Sequence, residues 1–446
     1  MMAIVLCVVA FVACYLAGKR SLGQGLIALL TVGYFYGILR ANLLTTFSHF
    51  IFDAGLIGIY LSQKWTSSDP RDAKRLEIVQ FWTVLLIAWP FFVALMPFQP
   101  LLVSLVGLRG NVFFIPVLLL GAQLREKDLL QLSVGLAALN ILALSFAVAE
   151  YFMGVPRFFP VSAVTRIIYA SGDVAGGFFR IPSIFTSAHA YGGTMVGSMP
   201  YLIGSWERAH TRKFRLLSLV GMVAALFGIL MSATRQNFIL GSAMIVVTIF
   251  SSRMMASNRI LFLLLIAAVG AAALSNERFQ RFKTLGDTDA VAERIAGSVN
   301  RGFLEILTEY PMGNGLGGGG TSIPYFLEGQ VKNPIGMENG YTLILAEQGI
   351  IGLVLWIAFI IWFFSRAGNA FAKGAWANSR RMAWCFAAVC LGTAWVGTGT
   401  FTSIPGTVVL LLGLGWTATP MLAERTESKR VRSGRSILPE LQYKPV

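Results

Sequence analysis

Apolar residues fill this chain in long blocks separated by short polar stretches, and most blocks are long enough to form a membrane-spanning helix. A helix needs roughly 20 apolar residues to cross the hydrocarbon core of a bilayer, and by that measure the pattern predicts about 12–13 spans. The predicted spans cover residues 3–18, 22–39, 43–62, 78–96, 101–123, 129–150, 189–206, 216–233, 237–252, 260–275, 341–365, 382–400 and 403–421. The predicted fold is therefore an all-α, polytopic transmembrane bundle.

Most basic residues lie in the short polar stretches, and these stretches fall on one side of the membrane if the spans alternate in direction. Loops on the cytoplasmic side of membrane proteins are enriched in Lys and Arg, so this side is predicted to face the cytoplasm. The residues are Lys19, Arg20, Lys64, Arg71, Lys74, Arg75, Arg125, Lys127, Arg208, Arg212, Lys213, Arg215, Arg253, Arg259, Arg366, Lys373, Arg380 and Arg381.

Two longer polar segments then face outward and divide the chain. The predicted organisation is N-terminal spans in 1–150, a first outward loop in 151–188, central spans in 189–275, a large outward loop in 276–340, C-terminal spans in 341–421 and a basic cytoplasmic tail in 422–446. The large loop is expected to be partly helical, with a helix from about Ala290 to Tyr310 that ends at Pro311 and a glycine run. Function is expected in this loop, because long loops on a rigid scaffold often carry it.

Composition supports a membrane protein and excludes several other classes. Only 13% of residues are charged and the mean hydropathy is +0.68, whereas charged residues make up about a quarter of a soluble domain. The four cysteines lie inside apolar blocks without metal-ligand spacing, so neither a disulfide framework nor a zinc site is expected. The net charge of +15 fits membrane topology and anionic headgroups better than nucleic acid.

Arginines on the outward side run against the usual charge bias and therefore call for an explanation. A guanidinium donates paired hydrogen bonds and stays charged, which suits it to phosphate, so an anionic ligand is implied. Pairing with the acidic residues of the large loop, as a solvated surface, is the alternative interpretation. The predicted outward set is Arg40, Arg157, Arg166, Arg180, Arg235, Arg278, Arg281, Arg294 and Arg301, and Arg109 falls inside a predicted span.

Five of these arginines are the predicted ligand-binding residues: Arg109, Arg180, Arg235, Arg294 and Arg301. Arg235 interrupts two apolar helices with no long loop around it, and a charge at such depth indicates either function or a snorkelling anchor. Arg294 and Arg301 lie seven residues apart and would share one helix face. Arg109 is a similar candidate, although it can also pair with a neighbouring helix.

Three further residues are candidates for proton transfer or for pairing. His189 lies where the first outward loop re-enters the membrane, where histidines are often structural. Glu338 stands at the outer end of a span, where a carboxylate can act as a general base or complement the helix dipole. Glu347, two turns further on, is expected to lie deeper and to pair with a buried arginine. The glycines after Pro311 could cradle phosphate, but they lack the lysine and hydroxyl of a P-loop.

Three segments together resemble a known family. They are "SATRQNFILG", "RGFLEILTEYPMGNGLG" and "ENGYTLILAEQGIIGLVLW", and their order around one outward loop is similar to that of the bacterial O-antigen polymerase and O-antigen ligase superfamily. The resemblance covers mainly residues 185–365. It matches Arg235 to the arginine at the family's outer helix junction and Arg301 to the loop arginine before the proline-glycine turn. Ligases usually have a histidine where this chain has Glu338, and this departure favours a polymerase.

The resemblance implies a glycosyltransferase that polymerises undecaprenyl-pyrophosphate-linked repeat units of O-antigen or exopolysaccharide at the periplasmic face of the bacterial inner membrane. No metal or other cofactor is expected, because positioned arginines can stabilise the pyrophosphate leaving group. Arg235, Arg301, Arg294, Arg180 and Arg109 are expected to hold the pyrophosphate, with Glu338 or His189 as the base and with inversion at the anomeric carbon.

The expected partners are the lipid-linked donor, an acceptor glycan or lipid A core, and the bilayer, with a chain-length regulator or a flippase as possible protein partners. A ligase that transfers the glycan to lipid A core is the first alternative. A flippase or transporter for lipid-linked sugars is the second, although the internal repeats typical of transporters are not evident in the sequence.

Overall fold

The computed structural model describes residues 1–65, 70–170, 179–209, 211–251, 302–319, 323–336, 339–395, 397 and 399–421, with isolated residues between 260 and 275. Within these ranges the protein is predominantly helical and contains no strand. The α-helices are α1 Met2–Arg20, α2 Leu22–Asn42, α3 Ile51–Ser62, α4 Pro70–Ala94, α5 Leu101–Val112, α6 Val117–Gln123, α7 Glu126–Met153, α8 Arg166–Ala170, α9 Ala188–Arg208, α10 Arg212–Met231, α11 Arg235–Ser251, α12 Phe303–Glu309, α13 Gly340–Ser365, α14 Ala367–Phe371, α15 Ala377–Thr393 and α16 Gly406–Ala418.

Seven helical segments of the described chain are long and apolar enough to cross a membrane, which confirms the prediction of an all-α, polytopic membrane protein. They are α1, α2, α4, the pair α5 and α6, α7, α10, and the pair α13 and α14. The apolar helix α16 is shorter, and α9 carries more polar residues. The predicted total of about thirteen spans stays a prediction.

Two predicted spans differ in detail from the structure. The span predicted at 43–62 consists of a short 3₁₀ helix, Thr46–Phe50, followed by α3. The span predicted at 101–123 is broken between α5 and α6, where Pro116 immediately precedes α6 and lacks the N–H that a continuous helix needs. In the large loop, α12 ends just before Pro311, as predicted, whereas residues 276–301 lie outside the described ranges.

The helix ends form two groups at opposite ends of the bundle. At one end, Arg208 pairs with Glu126 at an Nη2–Oε1 distance of 2.6 Å, and Arg75 donates to Thr419 Oγ1 at 3.1 Å. These contacts join the end of α9 to the start of α7, and the start of α4 to the end of α16. We call this the basic end, because the short basic loops of the described chain meet there.

The opposite end, called the far end below, gathers the starts of α9, α11, α13 and α16 and the ends of α2, α7, α10 and α15. Gln236 at the start of α11 donates to Thr393 Oγ1 at 2.6 Å, and Gly340 N donates to Ala394 O at 2.7 Å. The charge pattern read from the sequence therefore corresponds to a spatial division of the bundle.

Helices α9 and α16 form the centre of the bundle. Every residue of α16 from Thr407 to Ala418 is buried, and so is every residue of α9 from Thr194 to Trp206. Small residues let backbones approach closely in such a core. On α16, Gly415 rests directly against the backbone of Leu118 in α6.

Replacing Gly415 by alanine is expected to lower the free energy of unfolding by about 2 kcal/mol, because the added methyl group would overlap the Leu118 carbonyl oxygen. Gly413→Ala on the same helix is the matched control, since its methyl group would meet its nearest neighbour, the Tyr201 hydroxyl, at 3.8 Å. The control is expected to be neutral or slightly stabilising. Thermal unfolding of both purified variants in detergent measures the effect, and equal shifts would contradict close α6–α16 packing.

Candidate functional site

Arg180 and His189, both predicted site residues, are in direct contact at the far end. Arg180 lies in the segment before α9 and has only 7% of its surface exposed. It donates from Nη1 to Nε2 of His189, an exposed residue in the first turn of α9. Arginine has no acceptor atom, so Nε2 of His189 must be its unprotonated nitrogen in this arrangement. The pair therefore fixes the tautomer of the histidine.

The backbone before α9 is held in an unusual conformation that presents Arg180. Ser183 has a φ of 54°, which is uncommon for a residue with a side chain. Its N–H donates to Glu150 Oε2 at 2.8 Å, and its hydroxyl donates to Ala143 O at 2.7 Å. Both acceptors belong to α7, so the end of α7 positions the segment that carries Arg180.

Arg235 is the first residue of α11 and lies close to the same turn of α9. Gly192 allows this approach, because a Cβ atom there would lie 2.5 Å from Ser232 Oγ and 2.6 Å from Thr234 Oγ1. The start of α11 therefore packs onto the turn of α9 that follows His189. Arg235 is partly buried, and its Nε is buried without a hydrogen-bond partner within the described chain.

Arg109 has a different environment from the one expected of a pyrophosphate ligand. It forms an ion pair with Asp53 on α3, with an Nη2–Oδ1 distance of 2.9 Å, and also donates to His49 O at 3.3 Å. Only 6% of the Asp53 side chain is exposed. The charge of Arg109 is thus balanced by a buried carboxylate. This agrees with the alternative prediction that Arg109 pairs with a neighbouring helix.

Arg40 lies beside this pair, and sequence reasoning assigned it no specific role. It belongs to the last turn of α2 and interacts with the Tyr36 side chain, while its buried Nε has no hydrogen bond within the described ranges. The sequence already showed Arg40 as an arginine at the outward end of a predicted span, and this position could have made it a candidate.

Arg40 is also close to the segment that carries Arg180. Ile38 N donates to Ile184 O at 3.1 Å, and Gly37 packs directly against the backbone of Phe185. Residues three apart on a helix share a face, so Gly37 places Arg40 on the side of α2 that meets this segment. The ends of α2 and α7 and the starts of α9 and α11 thus bring Arg40, Arg180 and Arg235 to one region.

The remaining candidates, Glu338, Arg294 and Arg301, lie outside the described residues. Asn339, which follows Glu338 in the chain, caps α13 by accepting a hydrogen bond from Thr342 N at 2.7 Å. Tyr341 donates its hydroxyl to Leu391 O at 2.6 Å near the end of α15, which also contacts α11 through Gln236. The start of α13 therefore belongs to the same end of the bundle as Arg235.

A small cavity of about 40 Å³ lies beside the start of α13. Its lining includes Asn111, Gly340, Trp356, Thr402 and Thr407. This volume suits a water molecule or two rather than a sugar ring. This cavity is therefore too small to hold a ligand of sugar size.

Other arginines of the outward set have different surroundings. Arg166 pairs with Glu328 at an Nη2–Oε1 distance of 2.9 Å, and both side chains are exposed. Arg157 is exposed in a short 3₁₀ helix after α7. These two residues fit the interpretation as a solvated surface, whereas Arg40, Arg180 and Arg235 are at least partly buried.

Comparison with known proteins gives no further assignment. No protein-family model matches the chain. No curated protein matches it either. The resemblance to the O-antigen polymerase and ligase superfamily accordingly stays a prediction from the sequence motifs.

Proposed function

We propose that this protein is a membrane glycosyltransferase that extends glycans carried on undecaprenyl pyrophosphate, acting at the periplasmic face of the bacterial inner membrane. One observation carries the proposal. Arg180 at the far end has only 7% of its surface exposed, and its Nε is buried without a hydrogen bond among the described residues. A buried cationic group is costly unless an anion or an acceptor satisfies it.

Three arginines with an unsatisfied Nε lie together at the far end, and this clustering supports an anionic ligand with several oxygens, since a single such Nε also occurs in Arg381 at the basic end. Arg40, Arg180 and Arg235 each have this feature. A diphosphate offers enough acceptor oxygens for more than one guanidinium, and each contact would be a charge-assisted hydrogen bond. Arg109 is less suited to the ligand than these three, because Asp53 already balances its charge.

The orientation of the site follows from the charge of the loops. The basic end gathers the short basic loops, and the positive-inside rule assigns that end to the cytoplasm. The far end and its arginines then face the periplasm. Donor glycans on a lipid carrier would meet the site from the outer leaflet, with the pyrophosphate at the level of the arginines.

The chemistry is a single displacement at the anomeric carbon. An acceptor hydroxyl oxygen forms the new bond to this carbon, while the bond to the pyrophosphate oxygen breaks and its electron pair leaves with the lipid pyrophosphate. Guanidiniums stabilise the charge that develops on the leaving group. The acceptor proton passes to a base, and the configuration at the anomeric carbon inverts.

Glu338 and His189 are the two candidate bases. Nε2 of His189 accepts a hydrogen bond from Arg180, so that nitrogen takes up a proton only after the contact with Arg180 breaks. A carboxylate such as that of Glu338 has two acceptor oxygens, so it can accept a proton on one oxygen while the other accepts a hydrogen bond. We therefore assign proton acceptance to Glu338 and the positioning of Arg180 to His189.

Reconstitution of the full-length protein in proteoliposomes tests the proposal. Incubation with a defined undecaprenyl-pyrophosphate oligosaccharide is expected to give a ladder of longer glycans without added metal, with inverted anomeric configuration by NMR. A single transfer to added lipid A core would instead indicate a ligase. Movement of the intact lipid between leaflets without a new glycosidic bond would indicate a flippase and overturn the proposal.

A further inference from the structure

A glycine-rich turn of the large loop enters the bundle and is not a free phosphate cradle. Residues 313–319 are all buried, and the turn meets α13 seven to ten residues after its start at Gly340. At a rise of 1.5 Å per residue, this depth is about 10–15 Å along the axis. Irregular backbone at such depth is tolerated where protein surrounds it.

Helix α13 opens to receive this turn. Gly349 has φ 69° and ψ −169°, which interrupts the helix. Ile350 N donates to Pro311 O at 2.9 Å, and Asn314 N donates to Ala346 O at 2.7 Å. The turn thus replaces part of the hydrogen bonding that an unbroken helix would make with itself.

Glu347 lies at the centre of this junction and is 1% exposed. Its Oε2 accepts from Asn111 Nδ2 on α5 at 2.7 Å, and the backbone amides of Gly317 and Gly319 approach the same carboxyl group. The expectation that Glu347 pairs with a buried arginine is not met among the described residues, since its partners there are amides.

The surrounding contacts make the junction rigid. Gln348 Nε2 donates to Asn111 Oδ1 at 2.8 Å, which holds the amide that faces Glu347. Gly107 and Gly317 allow α5 and the turn to touch, because a Cβ atom on Gly317 would lie 2.9 Å from Val103 O. The turn is therefore clamped between α5 and α13.

The clamped turn also fixes the chain that follows it. Ile335 N donates to Gly318 O at 3.2 Å, and Gln99 joins Asn314 to Lys332 through hydrogen bonds of 2.9 Å to each. Four residues beyond Ile335, Asn339 caps the start of α13. The turn is therefore hydrogen-bonded to the described segment 323–336 that follows it.

We propose that Glu347 is a latch that holds the glycine turn inside the bundle and thereby fixes the described part of the large loop, 302–319 and 323–336, beside α13. Asn111 Nδ2 donates to Oε2 of Glu347, and the backbone of Gly317 and Gly319 lies beside the same carboxyl group. A glutamine there keeps the shape but has one acceptor oxygen, and its NH₂ group would face N–H groups. The latch itself is independent of the proposed function.

Hydrogen exchange of the full-length protein in nanodiscs tests the latch. Glu347→Gln is expected to speed amide exchange in peptides covering 311–319 and the start of α13 by about tenfold. Exchange in α1, which packs against α2 and α3, is expected to stay unchanged. Glu305→Gln is the matched control, because Glu305 is an exposed acid of the same loop on α12.

A second variant keeps the proposal testable if Glu347→Gln unfolds the whole protein. Asn111→Leu removes the amide that donates to Glu347 Oε2 while preserving the approximate volume, and it is expected to speed exchange in 311–319 by a smaller factor. The proposal is contradicted if amide exchange in residues 311–319 stays at the wild-type rate in Asn111→Leu or in a folded Glu347→Gln protein.

An activity measurement then asks what the latch positions, and this arm alone rests on the proposed function. With the lipid-linked donor, Glu347→Gln is expected to lower kcat about tenfold with little change in the donor KM, because the arginines of the far end remain in place. Faster exchange with unchanged kcat would keep the latch but remove its role in catalysis. An inactive wild-type protein would contradict the proposed function and leave the exchange result intact.

Discussion

Replacing Arg180 by alanine is expected to lower the rate of glycan transfer by at least about 100-fold, because a preorganised donor to the leaving group is lost. Arg180→Lys is expected to recover only a small part of this rate, since an ammonium cannot contact both His189 and a phosphate with a planar fork. Arg235→Ala is expected to have a loss of similar size. Initial rates of ladder formation in proteoliposomes measure all three variants.

The matched control for these arginines is Arg157→Ala. Arg157 is an exposed arginine in the first outward loop, and its removal changes the net charge by the same amount. Its activity is expected to stay within about twofold of the wild type, as for most exposed substitutions. A folded Arg180→Ala protein with the wild-type rate would overturn the assignment of the buried guanidinium to the ligand, whatever the control shows.

Replacing Asp53 by alanine is expected to lower the free energy of unfolding by about 3 kcal/mol, because it leaves the guanidinium of Arg109 inside the bundle without its carboxylate. The two side chains form an ion pair with two short N–O contacts, and Asp53 is almost fully buried. Denaturant titration of the purified protein in mixed micelles measures the change.

The double variant Asp53→Leu with Arg109→Met separates the unpaired charge from the loss of contacts. Apolar side chains of similar volume often replace a buried ion pair with little loss of stability, so the double variant is expected to lie within about 1 kcal/mol of the wild type. Equal losses in the single and double variants would show that an unpaired guanidinium is not the cause. Transfer activity in the double variant would further show that the ligand does not need Arg109.

The separation of paired from unsatisfied arginines narrows the set that the sequence offers. Arg109 and Arg166 have carboxylate partners, whereas Arg40, Arg180 and Arg235 have buried Nε groups without a hydrogen bond in the described chain. In the sequence, Arg40, Arg166, Arg180 and Arg235 were predicted on the outward side and Arg109 inside a span. The structure separates them, because Arg109 and Arg166 are each paired with a carboxylate that is far away in the sequence, whereas the other three have a buried Nε without a hydrogen bond among the described residues.

Some candidate site residues could be picked from the sequence because a few neighbouring residues are enough to make them stand out. Arg235 breaks an apolar run, and His189 marks the start of a helix, so each stands out within a short window. Arg40 carried the same kind of signal at the end of α2, but nothing in the sequence distinguished it from a snorkelling anchor. In the structure, Gly37 packs against Phe185 and so joins α2 to the segment that carries Arg180. This contact places Arg40 near Arg180, which the sequence could not show.

The sequence alone determined the class of the protein and the approximate position of most described helices, and it predicts which ends of the helices carry the basic loops. These properties depend on the length of apolar runs and on the charge of the short loops, and both are local quantities. Tertiary structure decided where each charge finds a partner. Asp53 reaches Arg109 across 56 positions, and Glu347 meets Asn111 across 236, so only packing could show which charged side chains have a partner and what that partner is.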